Sequence, residues 1–148
     1  MQHGLYFEEF SVGDTFKTEG RTLTESDMSD FVNRNHYCEP LFMDREYIEN
    51  ETQFKRPIAP GLMTVSMADG LVLLSGIIHR TGMAFLWMEM NIKAPVYIGD
   101  SIHVEIEVLE KRETKKNDRG IIKYLHRVFN QRDELVMEYR AKRMILRK

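Results

Sequence analysis

The chain has 148 residues, which suits one domain, and folding at this size buries roughly 70% of the surface exposed when unfolded. A single cysteine, Cys38, excludes an intrachain disulfide and a multi-cysteine metal cluster, and a reducing, cytoplasmic setting is expected. A net charge of −2 with 30% charged residues gives no footing for a nucleic-acid or anionic-membrane surface.

Met1 to Phe10 carries Glu8 and Glu9 and no apolar run of signal-peptide length. Thr15 to Leu23 predicts a first strand, entered through Val12-Gly13-Asp14. Thr24 is a good N-cap, and Glu25 and Asp27 suit the positive end of a helix. Met28, Phe31 and Val32 then fall on one apolar face. His36 to Met43, with Pro40, predicts a loop, and Asp44 can cap a short helix over Arg45 to Asn50. From Leu62 to Ile78 the chain is apolar nearly all round, which predicts a buried helix, with buried strands as the competing reading and the segment's length favouring helix. It is too short to meet the ~20 apolar residues that span a bilayer. Its small residues, Ser66, Ala68, Gly70, Ser75 and Gly76, would let a sheet wrap closely, and Gly82 ends it.

Four strands are predicted after it: Met83 to Lys93, Asp100 to Lys111, Ile121 to Asn130 and Leu135 to Leu146. Ile102, Val104, Ile106 and Val108 alternate with His103, Glu105 and Glu107, the period of a half-buried strand. Residues 117–120 and 131–134 have the composition of hairpin turns. Arg140, Lys142, Arg143, Arg147 and Lys148 interleave with apolar residues, as on the solvent face of a strand. His3, His79, His103 and His126 share no metal-ligand spacing and fit surface or strand positions, so no metal is expected. The ten methionines suit either a pocket that adapts to an apolar guest or ordinary gap filling. The fold class that follows is α+β, a curved antiparallel sheet around one long central helix, spanning 1–148.

Three stretches in register give a family resemblance. They are Glu39-Pro40-Leu41-Phe42-Met43-Asp44, then Phe54-Lys55-Arg56-Pro57-Ile58-Ala59-Pro60-Gly61-Leu62-Met63, then Ala94-Pro95-Val96-Tyr97-Ile98-Gly99-Asp100. Together they resemble the MaoC-like dehydratase and (R)-specific enoyl-CoA hydratase family, whose fold is the hotdog. The resemblance implies that the helix from Gly61 is the filling, and that two subunits pair edge to edge as a homodimer or build a higher homo-oligomer. It also implies a site at the dimer interface for an acyl thioester, usually on coenzyme A, which enters only as part of the substrate. No separate cofactor, nucleic acid or membrane partner is implied.

Hydration of an enoyl thioester needs a base for water, an acid for the α-carbon and donors for the thioester oxygen. The resemblance implies an Asp and a His five residues later for the first two. Matched residue by residue, those positions hold Tyr37 and Phe42, the intervening Asn position holds Glu39, and the His before the helix glycine is Pro60. Acid–base assistance is worth ~10²–10⁴-fold per group, so loss of both argues against the usual hydration mechanism. Gly61 remains, either as the start of a helix whose free N–H groups polarise a carbonyl or as a simple turn. The expected substrate-binding residues are Gly61, Pro60, Phe42 and Met63. Candidate catalytic groups are Glu39, Asp69, Tyr37 and His36, each with a plainer alternative: for Glu39 a solvated loop carboxylate, for Asp69 a structural hydrogen bond or a helix edge that reaches solvent, and for His36 and Tyr37 a satisfied polar side chain at a helix C-terminus. Cys38 has no His at a recognisable triad spacing. Three functions follow: an acyl-thioester lyase of the hydratase or dehydratase type, a non-catalytic acyl-thioester-binding protein, and a thioesterase relying on Asp69 or Glu39.

Overall fold

A computed structural model describes residues 2–148. The chain opens with a short 3-10 turn (Phe7–Glu9), then β1 (Thr15–Lys17), β2 (Arg21–Thr22), α1 (Glu25–Asn35), α2 (Pro40–Met43), α3 (Arg45–Glu51) and α4 (Gly61–Leu74). Four long strands follow: β3 (Gly82–Ile92), β4 (Ser101–Glu113), β5 (Arg119–Phe129) and β6 (Leu135–Leu146). The sheet runs β1-β4-β5-β6-β3, with β2 also paired to β4, and every pairing is antiparallel.

The predicted first strand is two short ones. Thr18 interrupts it: its hydroxyl accepts the Val104 N–H at 2.9 Å, a bond a backbone carbonyl would otherwise take. The Thr24 cap is present as a reciprocal box, its hydroxyl accepting from Asp27 N while the Asp27 carboxylate accepts from Thr24 N. Asp44 caps α3 by accepting from Tyr47 N. The segment expected to be all loop contains one helical turn, α2, which starts at Pro40, where a missing N–H costs nothing.

The central helix is shorter than expected. The Ser75 hydroxyl donates to Val72 O at 2.6 Å, and Gly76 turns the chain at φ 81°, so residues 75–78 are not helical and Gly82 opens β3 instead of ending the helix. Nor is α4 buried all round. Met63, Thr64, Val65, Ala68, Leu71 and Val72 face the sheet, whereas Leu62, Ser66, Gly70 and Leu73 form an uncovered stripe at helical spacing. Beside that stripe lies β3, bonded to β6 on one side only, with Met83, Phe85, Leu86, Trp87, Met88 and Ile92 exposed.

The concave face of the sheet carries the core, with Ile102, Val104, Ile106 and Val108 of β4 buried in their predicted alternation. Arg143, expected on the solvent face of a strand, and His126, expected at a surface or strand position, lie on this face. Arg143 is in phase with Tyr139, Ala141 and Ile145, and all four are buried. His126 is in phase with Ile122, Tyr124 and Val128 and is fully buried. Its ring stacks on Tyr139 at 4.0 Å, and Nδ1–H donates to Tyr139 O at 3.1 Å. Burial, with the nearby Arg143 charge, pushes the imidazole down to about 3, against the opposing pull of that carbonyl.

Acid sensitivity follows from this depressed value. Between the unfolded value near ~6.5 and the folded value, only the unfolded chain binds the proton, so stability falls as pH falls. Lowering pH from 7 to 5 should cost about 2 kcal/mol through this one group. Urea unfolding at both pH values, compared with His126→Phe, should show that much less pH dependence in the variant, whatever its absolute stability.

Candidate functional site

The extended run from Pro57 to Pro60 delivers the chain into α4. It is pinned to the connection between β3 and β4 by Ala59 N donating to Val96 O at 2.8 Å, Ile98 N to Pro57 O at 3.0 Å, and a bridge between Ile58 and Tyr97. The second and third stretches quoted from the sequence are thus hydrogen-bonded to each other. Asp100 holds the connection from behind. Its buried carboxylate accepts from Tyr97 N at 3.0 Å and from Gln131 Nε2 at 2.8 Å, after a turn at Gly99 with φ 99°.

A cleft of about 320 Å³ opens where these pieces meet the first turn of α4. Pro60, Gly61 and Thr64 form its helix side, Phe42 and Phe54 one wall, Ile92 to Val96 the other, and Val136 and Met137 the floor. Free N–H groups at the start of a helix carry the positive end of its dipole, so this corner favours a carbonyl oxygen. Thr64 contributes little polarity, because its hydroxyl is turned back to Pro60 O at 3.4 Å. At Gly61 the backbone comes close to the cleft wall: a Cβ there would stand 2.5 Å from Ile92 Cδ1, so the Ile92 side chain would have to shift. Among the described residues lining the cleft, Lys93 is the one charged side chain, and there is no carboxylate and no imidazole. No group of His, Cys, Asp and Glu among the described residues could hold a metal ion.

The expected site residues divide. Pro60, Gly61 and Phe42 line the cleft. Met63 does not; its side chain points into the core at 1% exposure. Tyr37 is half-buried beside the wall, in an aromatic row with Phe31 at 5.2 Å and Phe42 at 5.9 Å. His36 is exposed and closes α1 in the left-handed conformation, φ 55°. Glu39 is exposed at the N-cap of α2 and makes no capping bond.

Asp69 is committed elsewhere. It forms an ion pair with buried Arg143 and accepts from Tyr139 Oη at 3.0 Å. Burial first, then the Asp69 charge and this bond, push the Tyr139 phenol upward, so it stays a donor. The structural alternative for Asp69 therefore has a specific geometry, on the sheet side of α4 and outside the cleft lining. Ile92, Val136 and Met137 are cleft residues with no sequence signal, since each resembles any other apolar strand residue.

Residues 8–129 match the MaoC like domain family. The chain belongs to this family. Its architecture is the hotdog fold, as the resemblance implied. A solved structure of a monoamine oxidase regulatory protein from Archaeoglobus fulgius is 30% identical, with a TM-score of 0.91 over 99% of this chain and 97% of that one. A mitochondrial 3-hydroxyacyl-[acyl-carrier-protein] dehydratase of Arabidopsis thaliana is 27% identical over 85% of this chain and 71% of its own length. The (R)-specific enoyl-CoA hydratase of Aeromonas caviae is 33% identical over 62% of this chain and 63% of its own length. No helix among the described residues is long and apolar enough to cross a membrane.

Removing the Asp69 carboxylate should act on stability first. Asp69→Asn leaves Arg143 buried without its counter-charge, which should cost about 3 kcal/mol. Urea unfolding checks this. A variant as stable as the parent would show that the ion pair is not what fixes α4 to the sheet.

Proposed function

We propose that the cleft beside Gly61 binds an acyl thioester, with its carbonyl oxygen at the start of α4 and its acyl chain against the apolar walls. The observation that carries this is a mostly apolar cleft that ends on a helix N-terminus and has no acid–base pair in its lining. One well-placed donor of this kind contributes roughly 3 to 4 kcal/mol to an oxyanion, and it also binds a ground-state carbonyl. Binding is therefore favoured over turnover. Hydration or dehydration of the type named for the relatives remains the chemistry such a pose would serve, at a much reduced rate. Hydrolysis is less well supported, because Asp69 is already held by Arg143 and Glu39 stands outside the lining. Coenzyme A is the proposed carrier, and a carrier protein is the alternative.

The uncovered stripe of α4 and the free edge of β3 suit a second copy of the chain. An exposed apolar edge strand of this length invites pairing, and two such edges would join into one continuous sheet. A cytoplasmic homodimer is the form in which the protein is proposed to act.

A titration with saturated and enoyl-CoA esters, followed by product analysis, tests the function. Saturable binding with little or no loss of enoyl absorbance is expected for crotonyl-CoA. Brisk loss of that absorbance would show that an acid–base group has been missed. Gly61→Val should abolish binding, since the side chain fills the corner where the carbonyl would sit; unchanged affinity in a folded variant would place the site elsewhere. Sedimentation at micromolar concentration should give a dimer, and Phe85→Lys with Met88→Lys should give a monomer.

A further inference from the structure

A second cleft, of about 270 Å³, lies under α1 on the other side of α2. Its floor is apolar, made by Met28, Val32 and Ile48, and its rim carries Ser29, Asn33 and the Glu25–Arg45 ion pair. Phe42 lines this cleft and the cleft at α4 alike. Phe42 thus borders two spaces of similar size. Its position is set by one helical turn, α2, by its N–H donating to Glu39 O at 2.9 Å, and by the Tyr37 ring at 5.9 Å. Phe42 also occupies the position where the resemblance placed the catalytic His, so the substitution that removes an acid–base group also builds a partition.

We propose that Phe42 sets the acyl-chain length this protein accepts, by closing the cleft at α4 against the apolar cleft under α1. This rests on the acyl-thioester reading and adds a specificity-determining residue to it. A chain that fits the first cleft gains affinity with each added methylene, about fourfold apiece (~0.8 kcal/mol). Beyond the wall, further methylenes remain in water and add nothing. Without the ring, the two spaces join, and a longer chain runs from the α4 corner onto the floor made by Met28, Val32 and Ile48.

The test is calorimetric titration of butyryl-, octanoyl-, dodecanoyl- and hexadecanoyl-CoA into the full chain. For the parent, affinity should rise and then level off along this series. Phe42→Ala should bind the two longest esters at least tenfold more tightly than the parent does, while butyryl-CoA gains nothing. Ser29→Trp, which plugs the second cleft from its exposed rim, should leave the parent series unchanged and should cancel the gain when combined with Phe42→Ala. An unchanged length profile in folded Phe42→Ala would overturn the proposal, as would an affinity that keeps rising through the longest ester in the parent. If Phe42→Ala fails to fold, Phe42→Val and the effect of Ser29→Trp on the parent decide the question. A loss of long-chain binding in Ser29→Trp alone would mean that the wall is already open. Failure of the parent to bind any ester would reject the acyl-thioester reading itself, an outcome distinct from an unaltered profile.

Discussion

The position of α4 against the sheet is the constraint on which the rest of the molecule depends. Apolar contact holds its inner face but leaves it free to slide, because dispersion and burial are non-directional. The Asp69–Arg143 ion pair, with the Tyr139 hydroxyl as a second donor, supplies direction. It joins the middle of the helix to two buried residues of β6. An ion pair so placed imposes register more than it adds net stability, since desolvation offsets much of the attraction. The helix start is fixed separately, by backbone bonds from the 57–60 run to the connection that Asp100 anchors. With both points set, the free N–H groups of α4 face the same corner each time the chain folds.

Much of this architecture was legible in the sequence where one physical signal acted alone. The β4 alternation fixed which residues face inward, and Thr24 and Asp44 marked helix starts through local chemistry. Composition misleads where it competes with phase. Arg143 reads as a solvent-face residue for being polar and His126 as a surface or strand residue, although each lies in step with the buried residues of its own strand. Parity alone would have placed both inside. The breadth of the apolar surface on α4 misled in another way. An apolar stripe looks the same in sequence whether it meets the sheet of its own chain or waits for a second surface, so Leu62 and Leu73 could not be told from Met63 and Leu71.

The site was legible in part for a different reason. Pro60, Gly61 and Phe42 lie in stretches whose order and spacing identify the family, and all three line the cleft. Met63 belongs to the same stretch but points the other way, because on a helix a shift of two residues turns a side chain through more than half a turn. The candidate carboxylates were selected for their chemistry without a geometric filter. Glu39 sits at a helix start in solvent, and Asp69 already has partners. A carboxylate within a buried apolar helix is most economically explained by a buried cation, and β6 offered one in phase with its core residues.

The backbone devices survive: the pinned run before α4, the Gly61 approach to Ile92, and the buried Asp100 behind the turn. These set a corner that favours an oxygen and walls that favour hydrocarbon. At the positions where the resemblance implies side chains that move protons stand Tyr37 and Phe42, which pack with Phe31 in edge-on and tilted contacts as an aromatic row. Such a row stiffens a segment otherwise held by one turn of helix. Under the proposed reading, Tyr37 and Phe42 in place of an acid–base pair would favour retention of a bound acyl group over its conversion, because they add apolar contact and offer no base for water.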